Sequence, residues 1–326
     1  MLKSLSKSLS VYLTTTRKYL PCFITSNCLL FTFSPPLTGI GLRTRAMSVS
    51  VNSLVGDKGK VKQVKLLSGV NDEFGGVIVE MNEPMDSVVF ASLLRASIQQ
   101  WKNLGKKGVW IKLPISLVNL VEAAVKQGFW YHHAEPNYLM LVYWIPEGPN
   151  TLPINASHRV GIGAFVMNEA REVLVVQEKS GLFRGTGMWK FPTGVVDEGE
   201  DICAAAVREV KEETGVNAEF IEVLAFRQSH KAFFEKSDLF FLCMLHPLSF
   251  DIQKQEAEIE AAQWMPIEEY SAQSYVQKNE FIKYIIDICL AKKDGIYSGF
   301  SPVPTKTTFS DQKNYFYFNT RGLNWQ

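Results

Sequence analysis

Three glutamates, Glu209, Glu212 and Glu213, stand three and four residues apart in a stretch with strong helical character. On a helix that spacing puts the carboxylates on one face. Like charges so placed destabilise a helix, and a divalent cation is the natural compensation. Mg²⁺, or Mn²⁺, takes oxygen ligands and keeps sites for water and phosphate. The opposite face, with Cys203, Ala206, Val207 and Val210, is apolar and turns inward. Arg208 can hold a neighbouring carboxylate, with Glu200 one plausible partner. Gly194 opens the preceding loop, and without a side chain its carbonyl can come close enough to add a ligand.

Around this helix the chain divides into segments. Residues 74–80, 108–114, 129–132 and 138–144 read as strands, with apolar helical stripes at Val89, Phe90, Leu93, Leu94 and Trp101, then at Leu117, Leu120, Val121 and Ala124. Asp86 is placed to cap the first helix and Gly128 to end the second. The order is β-α-β-α-β-β, a small α/β domain over residues 65–145. Prolines 146, 149 and 153 mark a linker. Beyond it, residues 160–166 and 172–177 read as strands, followed by a glycine-containing loop at 181–187. A helix at 200–214, strands near 218–227 and 238–245, and a last helix carrying Phe281, Tyr284, Ile285 and Ile288 complete a second domain over 157–292. The tail, 293–326, reads as irregular from Gly299 onward because of its Pro, Ser and Thr.

The first 56 residues carry six Lys or Arg and no acidic residue. That composition reads as an organelle transit peptide, plastid before mitochondrion, with a cytoplasmic protein as the alternative. Its apolar stretch is too short and too polar to span a bilayer. A net charge of +1 supplies no field for capturing nucleic acid. Five cysteines without paired spacing read as reduced thiols.

A run such as Lys211-Glu212-Glu213 alone is usually a solvated helix face. The longer spacing is more specific: Gly194, five residues, Glu200, seven residues, then Arg208-Glu209-Val210-Lys211-Glu212-Glu213-Thr214-Gly215-Val216. This is similar to the box of the Nudix hydrolases at every defined position. The chain resembles the plant subgroup of that family with an N-terminal pre-Nudix domain. The resemblance implies an α/β/α sandwich around a mixed sheet, preceded by a smaller α/β domain described as acetyltransferase-like. No acyl-CoA loop is visible in that first domain, which reads as a support, homodimerisation or substrate-covering unit.

By the same resemblance, Glu212 and Glu213 are the main Mg²⁺ ligands and Glu209 a ligand or base. Gly194 contributes its carbonyl, while Arg208 and Glu200 orient the set. The implied reaction is hydrolysis of a nucleoside diphosphate linked to another moiety, a small-molecule nucleotide such as ADP-ribose or NADH. The alternative is a catalytically weak nucleotide-binding or regulatory protein. The NADH-type signature that follows the box in some relatives is absent here, so the substrate stays open. Outside the box, Arg184 and Trp189 are candidates to grip the substrate. Among Glu256, Glu258 and Glu260, Glu258 is best placed for a further carboxylate.

Overall fold

The computed structural model describes residues 65–181, 183–307, 310–321 and 323. The leader expected at residues 1–56 lies outside the described residues. The first part contains β1 (Val70–Asn71), β2 (Val77–Glu80), α1 (Ser87–Asn103), β3 (Gly108–Pro114), a 3-10 segment (Ile115–Leu120), α2 (Val121–Lys126), β4 (Trp130–Glu135) and β5 (Tyr138–Trp144). The strands form one sheet in the order β1-β2-β3-β5-β4, with only β2 and β3 parallel.

α1 begins where the Asp86 carboxylate accepts the N–H groups of Val88 and Val89, which are orphan donors at a helix start. Its buried stripe, Phe90, Leu94 and Trp101, packs on Val79, Val109, Ile111 and Leu141 of the sheet. Each such side chain contributes about 1.5–3 kcal/mol by leaving water. Val89, expected in this stripe, is exposed because the helix turns its neighbour Phe90 to the sheet.

The second part contains β6 (His158–Val166), β7 (Glu172–Glu178), β8 (Thr193–Val195), α3 (Ile202–Thr214), β9 (Ala218–Phe233), β10 (Lys236–Pro247), β11 (Ile259–Pro266), α4 (Ile267–Ala272), α5 (Ser274–Lys278) and α6 (Glu280–Lys293). Four strands form a mixed sheet, β8-β6-β10-β9, in which β6 and β10 are parallel. β7 pairs with β11, and Val176 of β7 bridges to Lys190 just before β8. Alternation along β6 makes the layers. Ile162, Ala164 and Val166 meet Ala205, Ala206 and Val210 of α3. Phe165 and Met167 point the other way, into a core shared with Ile286 and Cys289 of α6. The result is an α/β/α sandwich.

Two sequence expectations change. The strands read near 218–227 and 238–245 extend into a long hairpin, closed by Phe234 and Glu235 at φ of 44° and 63°. That turn uses bulky or charged residues where Gly or Asn would ordinarily signal it. The tail read as irregular is instead a hairpin of β12 (Ser301–Thr307) and β13 (Ser310–Phe318). Pro302 and Pro304 lie two residues apart, so their missing N–H groups fall on the same edge, the arrangement a two-stranded ribbon tolerates. Phe300 and Val223 exchange both backbone hydrogen bonds, at 2.8 and 3.0 Å, and so tie the tail to β9.

Candidate active site

α3 ends at Gly215, in the left-handed region at φ 75°, with its N–H donated to the carbonyl of Lys211. The apolar stripe of Ala206 and Val210 sets the rotation of the helix. At about 100° per residue, Glu213 falls nearest that stripe, Glu209 next and Glu212 farthest. The burial follows: Glu213 is 7% exposed, the Glu209 side chain 14% and the Glu212 side chain 53%. The three glutamates therefore do not share one environment.

Arg208 organises the acidic surface. Its Nε and Nη2 donate to both oxygens of Glu200, at 2.8 and 2.7 Å. Nη2 also donates to the carbonyl of Val195 at 2.9 Å, and Nη1 to Glu209 at 2.8 Å and Glu212 at 3.1 Å. All five N–H bonds of the guanidinium are thus used. The Arg208 pairing holds the Glu200 carboxyl below the usual range and raises the guanidinium well above its own. Glu209 is shifted upward, because burial outweighs the help from Arg208.

Glu213 is the most perturbed carboxyl of the helix. Burial pushes it up to about 8; the charge of Lys190 works against the shift and that of Glu209 adds to it. One of its oxygens, Oε2, is buried without a hydrogen-bond partner. Such a group costs about 1–3 kcal/mol, more when charged. Lys190, across from it, donates to the Glu178 carboxylate and, at 2.7 Å, to Thr193 Oγ1. Gly194 is packed against Glu209: a β-carbon there would stand 1.9 Å from the Glu209 carboxyl carbon.

Among the described residues, no three of His, Cys, Asp and Glu converge on one point. Arg208 stands between Glu209 and Glu212, while Glu213 lies deeper, towards Lys190. The donor set nevertheless fits a hard divalent cation: carboxylate oxygens, one orphaned and buried, beside a side-chain-free backbone position.

The candidates outside the box separate. Arg184 is exposed and lines a cavity of about 410 Å³ together with Gln177, Glu178, Lys179, Phe183 and Glu260. Glu258 is not among its lining residues. It sits in the turn before β11, exposed, with its carbonyl accepting from the Lys179 N–H. Glu260, one step beyond the buried Ile259, is the member of that acidic trio on the cavity wall. Trp189 is half-buried against the second core, its N–H donated to Gln273. Lys190 and Glu178 were not singled out from the sequence. Each is an ordinary charged residue at a strand edge, and only the pairing of β7 with the segment before β8 reveals their proximity to Glu213.

Residues 67–145 match the Nudix hydrolase domain and residues 157–285 match the NUDIX domain. The chain belongs to the Nudix hydrolase family. Nudix hydrolase 2 of Arabidopsis thaliana is 63% identical over 258 residues, covering 79% of this chain and 92% of that protein. Nudix hydrolase 8 of the same organism is 49% identical over 285 residues, 87% of this chain and 75% of that one. A solved NUDIX hydrolase from Nitrosomonas europaea is 27% identical, covers 41% of this chain and 90% of that chain, and superposes with a TM-score of 0.35. This Nudix hydrolase is an enzyme acting on acid anhydrides in phosphorus-containing compounds. No helix among its described residues is long and apolar enough to cross a membrane.

Proposed function

We propose that this Nudix hydrolase cleaves the pyrophosphate of a nucleoside diphosphate linked to another moiety, ADP-ribose and NADH being the leading candidates, with Mg²⁺ or Mn²⁺. The observation that carries this reading is the orphaned, buried Glu213 oxygen, which feels the charge of Glu209, whose own carboxylate packs against the Gly194 backbone. Glu209, Glu212, Glu213 and the Gly194 carbonyl would hold the metal. When bound, it would neutralise phosphate oxygens and lower the pKa of an attacking water.

The remaining work belongs to the chain. The water oxygen bonds to one phosphorus as the bond from that phosphorus to the bridging oxygen breaks. The leaving phosphate keeps the electron pair, and a box carboxylate takes the water's proton. Arg208 fixes the rotamers of Glu200, Glu209 and Glu212 before substrate arrives, which removes reorganisation from the reaction step. Lys190 offsets part of the negative charge around Glu213.

The test is product analysis after incubating residues 57–326 with ADP-ribose, NADH and related compounds, with Mg²⁺ or Mn²⁺. AMP should appear, and Glu212→Gln should reduce its rate at least 100-fold. No turnover above that variant for any compound would overturn the reading. We further propose that residues 1–56 direct the chain to an organelle, the plastid first; their basic composition supports this.

A further inference from the structure

Lys190 stands at the seam between two sheets. Its backbone N–H and carbonyl exchange hydrogen bonds with Val176 of β7, at 3.0 and 2.9 Å. Pro192 accepts the Ala164 N–H of β6 at 2.8 Å. Thr193 then pairs with Gly163 and Gly194 with Ile162, both of β6. Residues 190–194 therefore pass from the sheet of β7 and β11 to the sheet that carries β8. The catalytic glycine lies at the end of that crossing.

The Lys190 side chain closes the same seam. Nζ donates to the Glu178 carboxylate of β7 and, at 2.7 Å, to Thr193 Oγ1 of β8. Two of the three ammonium N–H bonds are thereby used. The Lys190 side chain is 18% exposed and that of Glu178 30%, so salt screens this pair less than a surface one. Both anchors bear on the proposed metal centre. The Thr193 backbone N–H, like the Lys190 charge, favours the carboxylate form of Glu213. The charges of Glu178 and Glu209 act in the opposite sense. Lys190 thus bonds one group of each kind.

Such a lysine acts through other groups. It is absent from the wall of the neighbouring 410 Å³ cavity, which Glu178 lines. Without it, Glu178 would lose its counter-ion and repel Glu213, and Thr193 would lose the tether on its hydroxyl. Both changes would fall on oxygens that a divalent cation needs at fixed positions. Outer groups of this kind ordinarily change metal affinity by about 10- to 100-fold.

We propose that Lys190 is a positioning residue of the metal centre: through Thr193 it fixes the Gly194 carbonyl, and it shields Glu213 from the charge of Glu178. This rests on the metal-dependent reading above, so the test reads metal binding without substrate. Lys190→Met keeps the stem and removes the donors. By calorimetry it should weaken Mn²⁺ at least about tenfold. Thr193→Val removes only the hydroxyl acceptor. It should weaken Mn²⁺ about threefold alone and add little to Lys190→Met, because the two residues form one clamp. In the active protein, the rate lost in Lys190→Met should return as Mn²⁺ is raised, a recovery that general loosening of the fold does not give. Mn²⁺ affinity matching wild type in either variant, or equal Thr193→Val effects with and without Lys190, would overturn the proposal. Should Lys190→Met not fold, Thr193→Val alone decides in the same way. Wild-type protein that binds no Mn²⁺ would also overturn it. Were Mn²⁺ binding to depend on Lys190 while no nucleoside diphosphate compound was hydrolysed, the positioning role would stand and the pyrophosphatase reading would fall.

Discussion

Gly194 and Glu209 occupy one space: the position of a Gly194 β-carbon is the position of the Glu209 carboxylate, within 1.9 Å. The glycine of the box and its first clustered glutamate, fifteen positions later, are thus two halves of one contact. β8 supplies the backbone and α3 the carboxylate.

Gly194→Ala should separate folding from activity. The intruding methyl meets the far end of a flexible side chain, so the fold adjusts at little cost, while the carboxylate is displaced by more than an ångström. A displacement of that size costs on the order of 100-fold in rate. Steady-state kinetics beside a thermal melt would check this; wild-type kcat would refute it.

Arg208→Lys should behave as a loss, not a conservative change. An ammonium has three donors and cannot replace the five-bond fork that spans Glu200, Val195, Glu209 and Glu212. Metal affinity by calorimetry should fall roughly 10- to 100-fold. Affinity within twofold of wild type would show that the fork does not set the carboxylate positions.

Glu213 should make the metal-free protein less stable as pH rises. Its folded value, about 8, lies above the ordinary 4.5, so the folded state binds the extra proton between the two. The stability linked to Glu213 is full below about 4.5 and is lost as pH rises through 8. Chelator-treated protein should melt lower at pH 8.5 than at pH 6, and Glu213→Gln should flatten that difference. The same slope in the variant would place its source elsewhere.

Lys292 secures the tail. It pairs at 2.6 Å with Glu222, which is 3% exposed and also accepts the Gly299 N–H. Lys292→Ala leaves a buried charge with one remaining partner and should cost about 3 kcal/mol, read from denaturant unfolding. A change below 0.5 kcal/mol would mean that solvent replaces the lysine.

A fusion of residues 1–60 to a fluorescent protein should enter plastids in plant cells. Diffuse cytosolic fluorescence would overturn the targeting proposal.

The local signals carried far. The cap at Asp86, the helix end at Gly128 and the strand at 160–166 are all readable because each depends on neighbours a few residues away. The Phe234–Glu235 turn and the β12–β13 hairpin were not readable. Their residues carry weak or contrary turn and strand signals, overruled by pairing with distant segments.

The box itself belongs to the sequence. Spacing alone determined the family, the helix, and which carboxylates and arginine stand together, because a helix converts fixed intervals into fixed faces. Tertiary structure decided how those carboxylates differ. The rotation of α3 against β6 buried Glu213 and exposed Glu212. Strand pairing then brought Lys190 and Glu178 beside Glu213, and chose Glu260 over Glu258 for the cavity wall. Burial and charge proximity are properties of packed surfaces, and no interval along one helix specifies what is packed against it.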